Sequence, residues 1–471
     1  MPSLPRLVLG THGFLNFRTV VLGRQEVASH KHVLGLTGQG KSTAIAGYAL
    51  QLFEQGIPFC LVDPHADLAD DLLRLFADRG HFPHLEPHRA IRYVDFSRTD
   101  RFLPFNMLDQ PYPVDRVAKH VLEVAQRVWP NLAGGRAPTF ERLFTNTLKL
   151  LIHNGLPLTY VTPVLTSKPL RESLLSATPD PWVVRFFLDS FDRWGREEER
   201  MKESTVNRGD LFIDTEVMRY SLGQTANALR FQELMDGQTT LIVNLNGVSD
   251  KEQRFLAAFI THGFEQAAYA RGAPGGSRAP YHLILDEAPM YAAQSEEGLA
   301  NMLSRTRKYG LTLWYMHQTL SQASTRLLSA LQNATLVAFG LGRIDARIIA
   351  QDLADYEPGA VKEATVGSGE EERRLAAFVP LPETYQRLKD ELKHLAPRQV
   401  YLQTRDVHHR FRTPTVLPFR TTLEQLQTIK DAYATCLMTP AQAVRAAVDA
   451  PVGVPATSPP PRRTLVFGRG S

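Results

Sequence analysis

The run Gly35-Leu36-Thr37-Gly38-Gln39-Gly40-Lys41-Ser42 constrains this chain more than any other stretch of it. It follows the apolar segment HVLGL and precedes TAIAGYALQLFEQG, a helical pattern that stops at Gly56. A GxxxxGK[ST] pattern between a strand and a helix reads as a loop for a nucleoside triphosphate. Phosphate oxygens need backbone N–H groups turned inward, and glycines at Gly35, Gly38 and Gly40 permit the φ/ψ values this requires. Thr37, Gln39 and Thr43 complete the nucleotide-facing positions, and the helix N-terminus adds partial positive charge. Lys41 would reach the β- and γ-phosphates, and Ser42 would ligate Mg²⁺. The bland alternative is a chance glycine-rich turn, which would not require a strand before it and a helix after it.

The next apolar run, PFCLVD, suits a buried parallel strand, so strand, helix and strand form a βαβ unit. TTLIVNL, YHLILDEAP, LTLWYMHQ and ATLVAFGL are further strand candidates separated by helical or turn segments. Between these two blocks the texture is helical. Val114, Val117, Val121, Val124 and Val128 form one stripe. Phe140, Leu143, Phe144, Thr147 and Leu151 form another, with Gly155 placed as a C-terminal cap. The expected organisation has a short β-rich segment over 1–30 and an α/β core over 31–110 and 236–420. An all-helical insertion occupies 111–235, and a helix with a Pro-rich tail follows over 421–471.

Asp286 and Glu287 end the strand YHLIL. Beside a phosphate loop, Asp286 would hold the metal through water and Glu287 would polarise the attacking water. An acidic pair at a strand end can also cap a helix. Gln318 closes LTLWYMHQ, and strand C-terminal ends face the ligand crevice in open α/β sheets. A polar residue there could sense the γ-phosphate; the alternative is a glutamine in a surface loop. Upstream, SRTRKYG places Arg305, Arg307 and Lys308 before the same strand. Such a cluster is either a solvated helix end, favoured by the helix dipole, or an arginine finger for a neighbouring subunit's phosphate. Residue chemistry alone leaves both open.

Other clusters carry less. His81, His84 and His88 are interrupted by Pro83 and Pro87 and lack a completing carboxylate or thiol, so they read as a surface loop. Glu197 to Glu199 and Glu370 to Glu372 read as solvated charge runs. Arg405, His408, His409, Arg410 and Arg412 could touch phosphates, but an exposed edge strand is the favoured reading. Cys60 and Cys436 stand alone, as a core thiol and a surface thiol in a reducing cytoplasm. The formal charge of +4 is too small over this length to demonstrate a nucleic-acid partner. No stretch is apolar enough to span a membrane, and the N-terminus has no signal-peptide pattern.

Taken together, GLTGQGKST, LVDPHADLADDLL, LPFNMLD, YHLILDEA, RKYGLTLWYMHQ and NATLVAFGLGRIDARIIA resemble the HerA/FtsK superfamily. Its conjugative coupling-protein branch (TraG/TraD-like) is the most similar, from about residue 20 to residue 415, including a helical insertion where that branch carries one. The resemblance implies a RecA-like P-loop core, mainly a parallel sheet flanked by helices. It also implies a hexameric ring that threads DNA through its channel using ATP and Mg²⁺. Arg307, eleven residues before Gln318, falls where the family has its trans-acting finger, which favours that role. Asp63 and His65 match the family's DPH segment. Coupling proteins begin with transmembrane helices and the HerA branch with a β-barrel. This chain shows neither, so an anchor-free cytoplasmic relative is implied.

The leading function is therefore a DNA-translocating ATPase serving conjugation, DNA end processing or phage defence, with a relaxase, nuclease or secretion-system partner. Two alternatives stand beside it: an ATPase that remodels or exports protein, and an ATP-dependent ring scaffold for a partner effector.

Overall fold

The computed structural model describes residues 5–12, 18–128, 137–193, 195, 202–203, 205–207, 213–272, 278–292, 296–354, 361–366, 373–404, 408–415 and 417–450. Its frame is one eleven-stranded sheet in the order β2-β1-β14-β13-β10-β3-β9-β8-β4-β7-β5. The strands β3 (Lys31–Leu34), β4 (Phe59–Asp63), β5 (Ile91–Asp95), β7 (Thr240–Asn244), β8 (Tyr281–Leu285), β9 (Leu311–His317) and β10 (Thr335–Ala338) are all parallel. Helices cover both faces of such a sheet, and continuous apolar runs such as FCLVD and YHLIL are what that burial requires. Every residue of β4, β7 and β8 is buried.

The parallel block is extended by antiparallel strands on the β10 side. β13 (Gln399–Gln403) pairs with β10, β14 (His408–Arg412) with β13, and the N-terminal hairpin β1 (Leu7–His12) and β2 (Arg18–Leu22) closes the edge. The stretch expected to be an exposed edge strand is thus a strand, but not an edge. Thr11 of β1 pairs with Arg412, and a chain segment four hundred residues away covers what local sequence leaves open. His408, Arg410 and Arg412 still present their side chains to solvent, while Phe411 is buried. Arg405 lies outside the described residues, as do Glu197 to Glu199, Glu370 to Glu372 and residues 451–471.

β5 and β7 are neighbours in the sheet, so the excursion between them leaves and returns at one edge. Its described elements are the strand β6 (Arg101–Phe102) and then helices. These include α4 (Val114–Val128), α5 (Ala137–His153), α6 (Val161–Thr166), α7 (Lys168–Ser176), α8 (Pro181–Arg185) and the helices Glu216–Leu222 and Phe231–Asp236. The valine stripe is what docks this excursion: Val117, Val121 and Val124 are buried, and α4 packs on the core helix Asp250–Ala270. That core helix starts at a capping box in which Ser249 and Glu252 satisfy each other's backbone N–H groups. Gly155, at φ 64°, ends the turn after α5 in the left-handed region that glycine occupies without strain.

Two short ladders complete the chain. β11 (Val361–Val366) and β12 (Arg373–Phe378) form a hairpin, and β15 (Thr439–Pro440) pairs with β6. The helix Leu423–Leu437 crosses to the far side of the sheet and packs against β5. Cys60 is buried and Cys436 exposed. Among the described residues no group of His, Cys, Asp and Glu could hold a metal ion by itself, and His81 packs edge-on against Phe53 and Phe76. Also among the described residues, no helix is long and apolar enough to cross a membrane.

Candidate nucleotide site

The loop after β3 is held from both sides by its neighbouring strands. Gly35 N–H donates to the His317 carbonyl at the end of β9 (3.3 Å), and Leu36 N–H to the Gly340 carbonyl after β10 (3.1 Å). Gly35 is required by close approach, because a Cβ there would stand 2.6 Å from Cβ of Phe339. Gly38 and Gly40 have φ of 79° and 86°, which turns the loop before the helix α2 (Lys41–Glu54). Gly35→Ala is expected to cost about 1–3 kcal/mol, the usual penalty for overpacking a core that cannot shift. It should lower the midpoint of thermal unfolding without nucleotide; an unchanged midpoint would show that β10 yields freely.

Four residues from three chain segments converge on the mouth of this loop. Thr37 Oγ1 donates to Gln318 Oε1 (3.1 Å), and Gln318 Nε2 donates to Glu287 Oε1 (2.9 Å). Lys41 Nζ lies 3.7 Å from the same Glu287 oxygen and 3.4 Å from the His317 carbonyl, with only 7% of its side chain exposed. Glu287 adopts φ 45°, an unusual backbone for a non-glycine residue and one that recurs at functional turns. Asp286, immediately after β8, is buried. Burial pushes its carboxyl up to about 7, with Asp63 and Glu287 adding repulsion and Lys41 opposing the shift.

Asp63, at the end of β4, accepts backbone N–H groups from His65, Ala66 and Ala69 (2.9, 3.0 and 2.8 Å). It therefore caps the helix α3 (Asp67–Asp78), whose entry residue Ala66 is left-handed at φ 71°. Burial raises its pKa against the lowering pull of those N–H groups. His65 next to it is exposed.

Arg307 is elsewhere. It opens the short turn Arg307–Tyr309 before β9, is exposed, and among the described residues its side chain hydrogen-bonds only the Gln25 carbonyl (3.4 Å). The seven residues of β9 separate it from Gln318, a span of about 20 Å at 3.3 Å per residue. Arg305 and Lys308 are exposed at the same end. The structure thus brings Lys41, Ser42, Thr37, Asp286, Glu287 and Gln318 to one rim and leaves Arg307 at the opposite one.

Three further features complete the site; the first belongs to a Thr319-x-x-Gln322 capping box, which has a local signature, and the other two carry no local pattern. Gln322 Oε1 accepts the backbone N–H groups of Gln318 (3.1 Å) and Thr319 (3.0 Å), and this fixes the turn that aims Gln318. His317 and His32 meet through their Nε2 atoms at 2.7 Å beneath Lys41. His317 Nδ1–H donates to the Thr319 carbonyl (3.0 Å), so its Nε2 is bare and accepts from His32. Burial pushes His317 down to about 2 and His32 down to about 4, which keeps the pair neutral. The third feature is Arg398, whose backbone N–H donates to the Gln39 carbonyl at 3.0 Å.

No family model matches the chain, and no curated protein does. Solved structures do match. The bacterial conjugative coupling protein TrwBdeltaN70, in an unbound form, is 16% identical with a TM-score of 0.56, covering 86% of this chain and 89% of its own. The plasmid coupling protein TrwB in complex with the ATP analogue ADPNP is 15% identical with a TM-score of 0.55, covering 89% and 96%. VirB4 of Thermoanaerobacter pseudethanolicus is 13% identical with a TM-score of 0.53, covering 87% and 96%. At such identities the likeness is one of fold. It shows that the chain has their RecA-like fold over most of its length, in agreement with the sheet described above.

Proposed function

We propose that this chain is an ATP-hydrolysing motor of the conjugation and type IV secretion kind, working as a ring, with DNA as the polymer it moves. The observation that carries the reading is the linked set Thr37–Gln318–Glu287–Lys41 at the mouth of the phosphate loop. A carboxylate, a cation and an amide joined in this way hold a base for the attacking water, a phosphate ligand and a sensor of the γ-phosphate in one network. Gln318 bridges the loop and the strand β9, so loss of the γ-phosphate would be felt along β9.

The residues present suit a divalent cation. Asp63, Asp286 and Glu287 lie at the ends of adjacent strands, and Asp286 is held partly protonated by burial and by its acidic neighbours. A bound cation would relieve that repulsion, with Ser42 and Asp286 as its holders. It would neutralise charge on the β- and γ-phosphates. TrwB has also been solved with ADP and Mg²⁺, which supports the same assignment here.

Arg307 supports the ring. An exposed arginine about 20 Å from its own chain's site cannot act there, whereas a neighbour's rim can receive it. Hexameric assembly and DNA translocation are tested together by an ATPase assay with and without DNA, run beside a mass measurement of the particle. DNA is expected to stimulate turnover, with an effect that fades as salt rises because the contacts are to phosphates. The active particle is expected to have six times the chain mass. Turnover indifferent to every DNA tested would move the reading to an ATPase that acts on protein. A fully active monomer would remove the ring.

A further inference from the structure

The residues assigned above lie on the γ-phosphate side of the site, and the opposite side of the phosphate loop is built by the C-terminal part of the chain. Leu395 to Arg398 connect the helix Leu381–Lys393 to β13 and press on the loop at Gln39 and Gly40. Gln39 is packed so closely against Gly340 that a Cβ there would stand 2.7 Å from Gln39 Oε1 and 3.2 Å from the Leu395 carbonyl oxygen. Arg398 N–H donates to the Gln39 carbonyl (3.0 Å), and Arg398 Cγ lies 3.3 Å from where a Cβ on Gly40 would sit. Arg398 holds φ 69°, a left-handed backbone that costs a non-glycine residue about 1–3 kcal/mol. Its side chain is therefore kept at this position against a backbone preference.

The guanidinium is committed at Nη2 and unpartnered at Nε. Nη2 donates to the Thr413 carbonyl and to Thr415 Oγ1, both at 2.8 Å. Nε is buried without a hydrogen-bond partner. Among the described residues no carboxylate pairs with this cation. A cation with a spare donor, pinned over Gly40 at the start of α2, stands where a P-loop holds the α- and β-phosphates.

We propose that Arg398 is a nucleotide-binding residue acting within its own chain. It contacts the α-phosphate or ribose end of a bound nucleoside di- or triphosphate, and sets affinity for the nucleotide rather than the rate of its hydrolysis. This rests on the nucleotide-site reading above. It divides the labour of the two arginines: Arg307 completes the γ-phosphate side from a neighbour, and Arg398 holds the part common to ATP and ADP.

The test is calorimetric titration of the full chain with ADP and with a non-hydrolysable ATP analogue, both with Mg²⁺, alongside steady-state ATPase kinetics. Arg398→Gly is the informative variant. Glycine accepts φ 69° without strain and keeps the N–H that holds Gln39, so the backbone contact stays and the side chain, with its bonds to Thr413 and Thr415, is removed. Its Kd is expected to rise about tenfold for both nucleotides alike, the size of a lost charge-assisted contact. The loss should fall on KM rather than on kcat. Arg398→Lys should recover part of the affinity, because a cation is restored. Kd values within twofold of the wild type in Arg398→Gly, with Lys41→Ala still weakening ATP binding, would overturn the proposal and leave the nucleotide site standing. A drop in kcat with unchanged KM would also overturn it. Failure of the wild-type chain to bind either nucleotide would instead remove the reading on which the proposal rests.

Discussion

Arg307→Ala is expected to lower ATP turnover by about 10³-fold or more while leaving nucleotide affinity near that of the wild type. The magnitude is that of an arginine finger, which stabilises charge that develops only in the transition state. The geometry is the reason binding should survive: in its own chain Arg307 touches the Gln25 carbonyl and no part of the phosphate loop. The sharper experiment mixes Arg307→Ala with Glu287→Gln, each inactive alone. A subunit that keeps Glu287 can then receive Arg307 from a neighbour that keeps the arginine. With random assembly in equal amounts, about a quarter of the interfaces are complete, so about a quarter of wild-type turnover should return. Mixtures that stay silent at every ratio, although both variants assemble, would place Arg307 outside the site and return it to the role of a solvated helix-end charge.

Lys41→Ala is the second large effect. Turnover should fall by about 10²–10³-fold, as expected when a preorganised donor to developing phosphate charge is removed, and ATP binding should weaken with it. The same substitution changes the nucleotide-free protein. Lys41 is the cation beside Glu287 Oε1 and opposes the upward shift of Asp286. Without it the carboxylates at the ends of β4 and β8 lose their counter-charge, and Asp286 titrates at still higher pH. Lys41→Met retains the apolar stem, so it removes the charge, with both its consequences, while preserving the packing. Circular dichroism would confirm the fold, and normal hydrolysis by either variant would refute the phosphate-loop assignment.

Much of the site was legible because its residues sit at the ends of strongly patterned segments. HVLGL, YHLIL and LTLWYMHQ are strands by composition, and in a parallel sheet the residues that end them share one rim. That is why the sequence alone places Lys41, Asp286, Glu287 and Gln318 together. The helical excursion was legible for the same reason, since the stripe from Val114 to Val128 needs only the 3.6-residue period to be seen.

What escaped the sequence has no period. The His32–His317 pair exists because β3 and β9 are neighbours although 285 positions separate the two rings. The basic stretch around His408 reads as an edge, yet the N-terminal hairpin closes it. Arg398 looks like any surface arginine after a proline until the chain brings it against Gly40.

The sequence by itself determined that a phosphate loop stands between a strand and a helix, and that two carboxylates and a glutamine end the neighbouring strands. Backbone conformation and hydrophobic period are local properties of a chain. Only the tertiary structure decided which polar groups meet around that loop, and that Arg307 faces away from it. Those outcomes depend on strand order and on contacts between residues hundreds of positions apart, to which local propensity is indifferent.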